Sequence, residues 1–118
     1  MTVTLDHDSI LENLMDKLGE KIYFIIISSE NGVVIKSYIN EDEFNKSAIS
    51  LNISQVYESS EEITDSIGIH KPDFTLIHSD NFYILSMKLL DNIFIILMED
   101  QVDLGLVFQI INSCIIPS

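Results

Sequence analysis

The sequence contains no arginine: six lysines carry its positive charge against 19 acidic residues, and the formal net charge is −13. Recognition of phosphates and base edges depends on a planar fork of donors that arginine has and lysine lacks. A strongly negative chain also repels nucleic acids and anionic membrane surfaces. The composition therefore argues against nucleic-acid binding, excludes an arginine finger supplied by this chain, and favours basic or neutral protein surfaces as partners.

Long hydrophobic runs and cysteine are also scarce. The longest apolar stretches, residues 22–27 and 93–98, are about a third of the length that crosses a bilayer, so no direct membrane insertion is expected. The one cysteine, Cys114, has no second cysteine to bond with, and residues 1–6 lack the basic and apolar regions of a signal peptide. A chain of 118 residues, 47% of them hydrophobic, predicts one reduced, cytoplasmic domain over residues 1–118.

No residue pattern points to catalysis, a metal or a cofactor. The few glycines are scattered, so there is no phosphate-binding loop. His7, His70 and His78 do not have the spacing of metal ligands, and Cys114 has no basic neighbour to lower its thiol pKa. No Ser/His/Asp set stands out among the many candidates. We therefore predict a protein that is not an enzyme and that needs no cofactor.

The first part of the chain predicts a helix followed by a hairpin. Apolar residues at helical spacing cover about residues 9–18, with Ser9 and Glu12 as a capping box and Gly19 as the stop. Residues 22–28 and 33–39 are rich in β-branched and aromatic side chains. They flank a turn in which Asn31-Gly32 supplies positive φ angles, so these two segments are predicted to pair as a hairpin.

A long second helix is predicted over residues 41–67, ended by Gly68 and Pro72, and it has two apolar stripes. The stripe expected to face the core consists of Ile49, Ile53, Val56, Ser60, Ile63 and Ile67. A second stripe, roughly opposite in the N-terminal half, consists of Phe44, Ala48, Leu51 and Gln55. An acidic face carries Glu58, Glu61, Glu62 and Asp65. One helix therefore has two faces to bury.

Three more strands, over residues 73–79, 82–88 and 92–99, and a final helix over residues 103–115 complete the pattern α-β-β-α-β-β-β-α. The first and fifth strands are apolar on both faces, so they should be central and covered on both sides. The expected fold is an α/β sandwich of the α+β class. Its five-stranded antiparallel sheet has the order 2-1-5-4-3, with two helices on one face and the long helix on the other.

Two features do not suit a monomer. The first is the second apolar stripe, although packing within the same chain would also cover it. The second is the third strand, an edge strand with apolar side chains and no lysine or proline as a guard. One dimer contact would bury both, through Phe44, Ala48, Leu51, Gln55, Phe74, Leu76 and His78. The acidic residues Glu58, Glu61, Glu62 and Asp65 are either a solvated face or a contact for a basic partner.

The element order, residues 24–37 with their acidic-Asn-Gly turn, and the Leu-Gly-Leu step at residues 104–106 together resemble the Roadblock (dynein light chain) family, relatives of the longin domains. The resemblance covers nearly the whole chain. It implies a homodimer, or a heterodimer with another Roadblock protein, in which the third strands pair and the long helices pack together. It also implies a role without catalytic residues, as a scaffold or regulator of Ras-like small GTPases or as an adaptor on dynein.

The first functional hypothesis is thus a cytoplasmic, non-catalytic, dimerising scaffold that binds and modulates a Ras-like small GTPase. A dynein-type adaptor subunit is an alternative within the same family. A small-molecule sensor of PAS-like or profilin-like shape is an alternative from a different class, and it would need a pocket between the sheet and a helix. A hydrolase is the third possibility, and no residues support it.

Overall fold

The computed structural model describes residues 3–5, 7–39 and 44–117. Its elements in chain order are β1 (Val3–Leu5), α1 (His7–Leu18), a 3₁₀ turn (Gly19–Lys21), β2 (Ile22–Ser29), β3 (Val34–Ile39), α2 (Lys46–Ile67), β4 (Phe74–Ser79), β5 (Phe82–Leu89), β6 (Asn92–Glu99), α3 (Leu104–Ser113) and β7 (Ile115–Pro117). In these ranges, no helix is long and apolar enough to cross a membrane.

Five strands form one antiparallel sheet in the order β3-β2-β6-β5-β4, which confirms the predicted order 2-1-5-4-3. The two all-apolar strands, β2 and β6, pair at its centre, and β3 and β4 are the edges. A strand that is apolar on both faces is stable only where both faces are covered. The sheet order therefore follows directly from which strands can tolerate an edge.

The sheet separates two hydrophobic cores, and the predicted division of the helices is confirmed. α1 and α3 cover one face, where Ile10, Leu14, Val107 and Ile111 pack on Phe94 and its neighbours on that face. α2 covers the other face, where its buried core side chains Ile53 and Tyr57 meet Phe24, Ile26, Ile93 and Ile95. Burial of the alternating β2 and β6 side chains on both sides supplies the main apolar contribution to the fold.

The β2–β3 turn is fastened to α2 through Gly32. Its φ is +86°, so the positive φ predicted at this residue is confirmed, whereas Asn31 does not share it. A Cβ placed on Gly32 would lie 2.8 Å from the Leu51 Cα and 2.9 Å from the Ser54 Oγ. The turn therefore rests directly on the backbone of α2, and only a glycine permits this approach.

Three predicted helix ends were wrong. α1 begins at His7, so Ser9 lies in the first turn and does not cap the helix; His7 is held by the Asn92 side chain, 3.0 Å from its Nε2. α2 begins at Lys46, because the Asn45 side chain accepts a hydrogen bond from the Ala48 N–H and caps the helix there. Residues 41–43, which were also predicted to belong to this helix, lie outside the described ranges.

The third wrong end is the C-terminal end of α3. The helix starts at Leu104, capped by the Asp103 side chain, and stops at Ser113 instead of continuing to residue 115. The chain then forms β7, which pairs antiparallel with β1 in a separate two-stranded sheet. The sequence does not predict this change from helix to strand. The helical periodicity of Leu104–Ser113 continues into residues 115–117, and an apolar segment of three residues is too short to show a strand period.

α2 is rotated relative to the prediction. Of the expected core stripe, Ile53 is buried and Ile49 packs against the core, whereas Val56, Ile63 and Ile67 are 42%, 58% and 65% exposed. Ser50, Ser54 and Tyr57 are buried in their place. The β2–β3 turn approaches the helix closely at Ser54, where there is room for only a small side chain. A hydrophobicity pattern favours isoleucine over serine at a buried helix position, so it does not predict this rotation of α2.

Candidate interaction site on α2 and the β4 edge

β4 is an open edge strand. Five of its six residues are exposed, all except Thr75. β3, the opposite edge, is protected: its pairing with β2 is irregular at Ile27/Ser28, and its Lys36 forms an ion pair with Asp8 of α1. Bulges and lysines are the usual protection of a sheet edge against pairing with another chain. The unguarded edge predicted from the sequence is therefore β4, and it is the edge available for a further strand.

The side chains of β4 alternate between the two faces of the sheet. Phe74 and Leu76 lie opposite Met87 and Leu85, which belong to the α1/α3 core, and the Phe74 ring packs 5.0 Å from that of Phe108. On the α2 side the strand presents Thr75 and Ile77, with Ile77 opposite Ile84. The predicted interface residues Phe74, Leu76 and His78 therefore lie on the sheet face away from α2.

α2 carries an exposed strip without charged side chains, which we call the α2 flank: Asn52, Val56, Ser59 and Ile63. With Gln55 and Ser60, these residues line a shallow groove of about 480 Å³. Helical periodicity sets the α2 flank opposite Ser54, the residue that meets the β2–β3 turn. Because that turn is at the β3 edge, the α2 flank faces towards β4.

The part of the sheet next to the α2 flank is uncovered. α2 packs chiefly on β3, β2 and β6. Ile77, on the same sheet face, is 38% exposed. The α2 flank thus faces the uncovered part of the sheet, where Ile77 and the open edge of β4 lie. A second helix and a second strand would be needed to bury it.

The other predicted α2 contacts are placed differently. Phe44 is half-buried, with its ring 5.2 Å from that of Phe24, so it packs within the chain. Ala48, Leu51 and Gln55 are exposed. Leu51 lies on the side of the helix that carries Glu58 and Glu62, away from the α2 flank. The structure therefore does not bring Phe44, Ala48, Leu51 and Gln55 together with Phe74, Leu76 and His78 on one surface.

Among the four predicted acidic contacts, Glu58, Glu62 and Asp65 are exposed to solvent. Glu61 differs, because its carboxylate lies 3.4 Å from the Lys88 ammonium and 3.6 Å from that of Lys71. Lys88 also binds Glu30 at 2.9 Å, and this hydrogen bond raises the pKa of Lys88 above its ordinary value. Glu61 therefore ties α2 to β5 and the β2–β3 turn, which leaves three acidic side chains free for a partner.

Tyr57 fixes the connection between α2 and β4. Its hydroxyl donates to the Pro72 carbonyl oxygen at 2.8 Å and accepts from the Lys88 N–H at 3.3 Å. The side chain is buried, and burial raises the pKa of Tyr57 above 10.0, so the hydroxyl keeps its proton and its role as donor at neutral pH. The lead-in to β4 is thereby held beside the end of β5.

Replacing Tyr57 with phenylalanine should lower the free energy of unfolding by about 1–2 kcal/mol, because the Pro72 carbonyl and the Lys88 N–H lose their partner. Chemical denaturation with urea measures the difference. Tyr38→Phe on β3, where the side chain is half-exposed, is the matched control and should change stability by less than about 0.5 kcal/mol. Equal losses in the two variants would show that the bridge contributes nothing specific.

His78 and Cys114 each contact other side chains of the same chain. His78 lies 3.0 Å from Asp100 and packs on Tyr83, and the buried Cys114 accepts a hydrogen bond from Asn13. Over residues 3–5, 7–39 and 44–117, no group of three or more potential ligands is placed to hold a metal ion. The interaction surface on α2 and β4 is therefore the best-supported candidate site.

Comparison with solved structures identifies the fold. MglB of Myxococcus xanthus superimposes with a TM-score of 0.79 at 12% identity, over 92% of this chain and 90% of that one. A Roadblock/LC7 domain from Streptomyces avermitilis gives 0.79 at 11% identity, over 92% and 91%. The chain thus has the Roadblock/LC7 fold, which confirms the resemblance seen in the sequence at the level of the fold.

Two further likenesses bear on assembly and on the sensor alternative. A structure described as MglB with tetrameric arrangement gives a TM-score of 0.75 at 9% identity, covering 92% of this chain and 83% of that one. Profilin II of Acanthamoeba castellanii gives 0.56 at 10% identity, over 89% of each chain. No protein-family model and no curated protein sequence matches the chain. At these identities the likenesses establish the fold alone.

Proposed function

We propose that the chain is a cytoplasmic, non-catalytic scaffold that dimerises through the β4 edge and the α2 flank, and that the dimer binds and regulates a Ras-like small GTPase. The observation that carries the proposal is the open β4 edge beside the uncovered apolar residues of α2 and Ile77. Exposed backbone groups and exposed apolar side chains are the mark of an interaction surface.

A second chain of the same fold is the occupant that this region fits. Its edge strand would extend the sheet, and its long helix would pack on the α2 flank, where the small Ser59 permits close approach. The α2 flank is free of charge although the helix carries four acidic residues elsewhere. Two copies, each with a net charge of −13, can therefore meet there without direct repulsion. The tetrameric arrangement described for an MglB supports self-association in proteins of this shape.

The GTPase part of the proposal comes from the Roadblock resemblance together with the charge of α2. Glu58, Glu62 and Asp65 lie on the exposed side of α2, so dimerisation through the α2 flank leaves them accessible. They would contact a basic surface of the GTPase and hasten its encounter. The absence of arginine limits the chain's role to holding or reshaping the GTPase, since it has no finger to insert into the nucleotide site.

Light scattering over a concentration series is the first test. We expect a mass near twice 13.4 kDa that persists on dilution. The second test is calorimetric titration with Ras-like GTPases of the same organism, loaded with GDP or with a non-hydrolysable GTP analogue. Binding should depend on the nucleotide and weaken with salt. A monomer at all concentrations would contradict the dimer, and a dimer that binds none of these GTPases in either state would contradict the regulatory role.

A further inference from the structure

The backbone of β4 has a definite set of unpaired groups. A two-residue turn, Asp80-Asn81, joins β4 to β5, so Ser79 and Phe82 form the hydrogen-bonded pair that closes the hairpin. Hydrogen-bonded and non-bonded pairs then alternate along the ladder. The N–H and C=O groups of Phe74, Leu76 and His78 consequently point away from β5, towards the open edge.

Symmetry restricts how two such edges can meet. In an antiparallel pair, residues directly opposite each other point to the same sheet face. Two identical strands related by a twofold axis must therefore be centred on one residue that lies opposite its own copy. Centred on Ile77, the pairing would place Phe74 opposite Asp80, which has a φ of +54° and is outside the strand. Centred on Thr75, it would place His78 opposite Pro72, which has no N–H and whose carbonyl is already bonded to Tyr57.

We propose that two copies of this chain pair through β4 in the register centred on Leu76, an inference that rests on the proposed dimer. In this register Phe74 lies opposite His78 of the second copy, and every outward N–H and C=O of the three residues finds a partner. Leu76 meets its own copy on one face of the sheet. On the α2 face, Thr75 lies opposite Ile77 of the second copy.

The same register brings opposite charges together at both ends of the paired strands. Continued beyond β4, it sets Lys71 beside Asp80 and Asn81 of the second copy. Lys71 is 78% exposed and only loosely held by Glu61 at 3.6 Å, so it can turn to a new partner at little cost. Asp100 adds charge at the receiving end, since its N–H is bonded to the Asn81 carbonyl at 2.8 Å. The contact occurs twice per dimer.

Cysteine cross-linking tests the register. In a Cys114→Ala parent, which has no cysteine, Thr75→Cys and Ile77→Cys are prepared separately and also co-expressed. Cα atoms of a non-bonded antiparallel pair are about 4.5 Å apart, within the span of a disulfide, whereas diagonal neighbours are about 7–8 Å apart. We expect mild oxidation to link the co-expressed pair and neither variant alone.

Each other outcome identifies what failed. If Ile77→Cys or Thr75→Cys links to itself, the register is centred on that residue and the proposal is wrong. If the mass is dimeric and no combination links, the copies do not pair through β4 in this register. A monomeric mass for the unaltered chain overturns the proposed dimer itself.

A charge exchange tests the ionic contact. Lys71→Glu and Asp80→Lys should each weaken the homodimer by about tenfold in sedimentation equilibrium, because each puts two pairs of like charges at the ends of the strands. Mixed together, the two variants should prefer each other, since both contacts in that heterodimer join opposite charges. Lys17→Glu on α1 changes the net charge equally and serves as the control. Equal effects of Lys71→Glu and Lys17→Glu would overturn the contact.

Discussion

Gly32→Ala should lower the free energy of unfolding by about 2–4 kcal/mol, one of the larger effects available from a single methyl group. Two costs add up. Alanine is strained at the φ of +86°, and its Cβ would lie 2.8 Å from the Leu51 Cα, where helix backbone cannot move aside cheaply. Urea denaturation gives the change in stability.

Gly68→Ala is the matched control for this prediction. Gly68 ends α2 with a φ of +88°, nearly that of Gly32, but a Cβ placed on it meets no atom within 4 Å. Its substitution carries the conformational cost alone, about 1 kcal/mol. The difference between the two variants therefore measures the contact between the β2–β3 turn and α2. Equal losses would mean that the turn can lift from the helix freely.

The hairpin and the order of the strands could both be predicted from the sequence. The hairpin was predictable because Gly32 and the β-branched segments on either side are local signals. The sheet order was predictable because β2 and β6 are apolar on both faces, a property that the sequence displays directly. Neither inference requires knowledge of how one element is turned against another.

The candidate site depends on how α2 and β4 are oriented against the rest of the fold, and the sequence predicted these orientations less well. Five isoleucine and valine positions on α2 suggest a core stripe, yet Val56 and Ile63 are exposed, and Ser54 faces the β2–β3 turn instead. The faces of β4 were likewise undetermined, since an edge strand with apolar residues on both sides has no periodic signal for its orientation. The unguarded edge itself was found, because the missing lysine and proline are a matter of composition.

The exposed position of the α2 flank makes it the strongest target for disrupting assembly. Val56→Asp together with Ile63→Asp should raise the dissociation constant of the proposed dimer by at least about 100-fold, because both copies would have to bury carboxylates where the proposed contact buries apolar side chains. The fold should persist, since these side chains are 42% and 58% exposed in the single chain. Sedimentation equilibrium gives the dissociation constant, and circular dichroism checks the fold.

Leu51→Asp separates this surface from the one suggested by the sequence alone. Leu51 is 48% exposed, comparable to Val56, but it lies on the acidic side of α2 with Glu58 and Glu62. If the α2 flank forms the contact, Leu51→Asp leaves the dimer intact and only adds a charge to a surface that is already acidic. If Leu51→Asp alone produces monomers while the Val56/Ile63 double variant remains dimeric, the helices meet through the stripe of Ala48, Leu51 and Gln55. The acidic residues would then be drawn into the contact, and a homodimer would place like charges against each other, which would favour a partner chain with a basic helix in the same position.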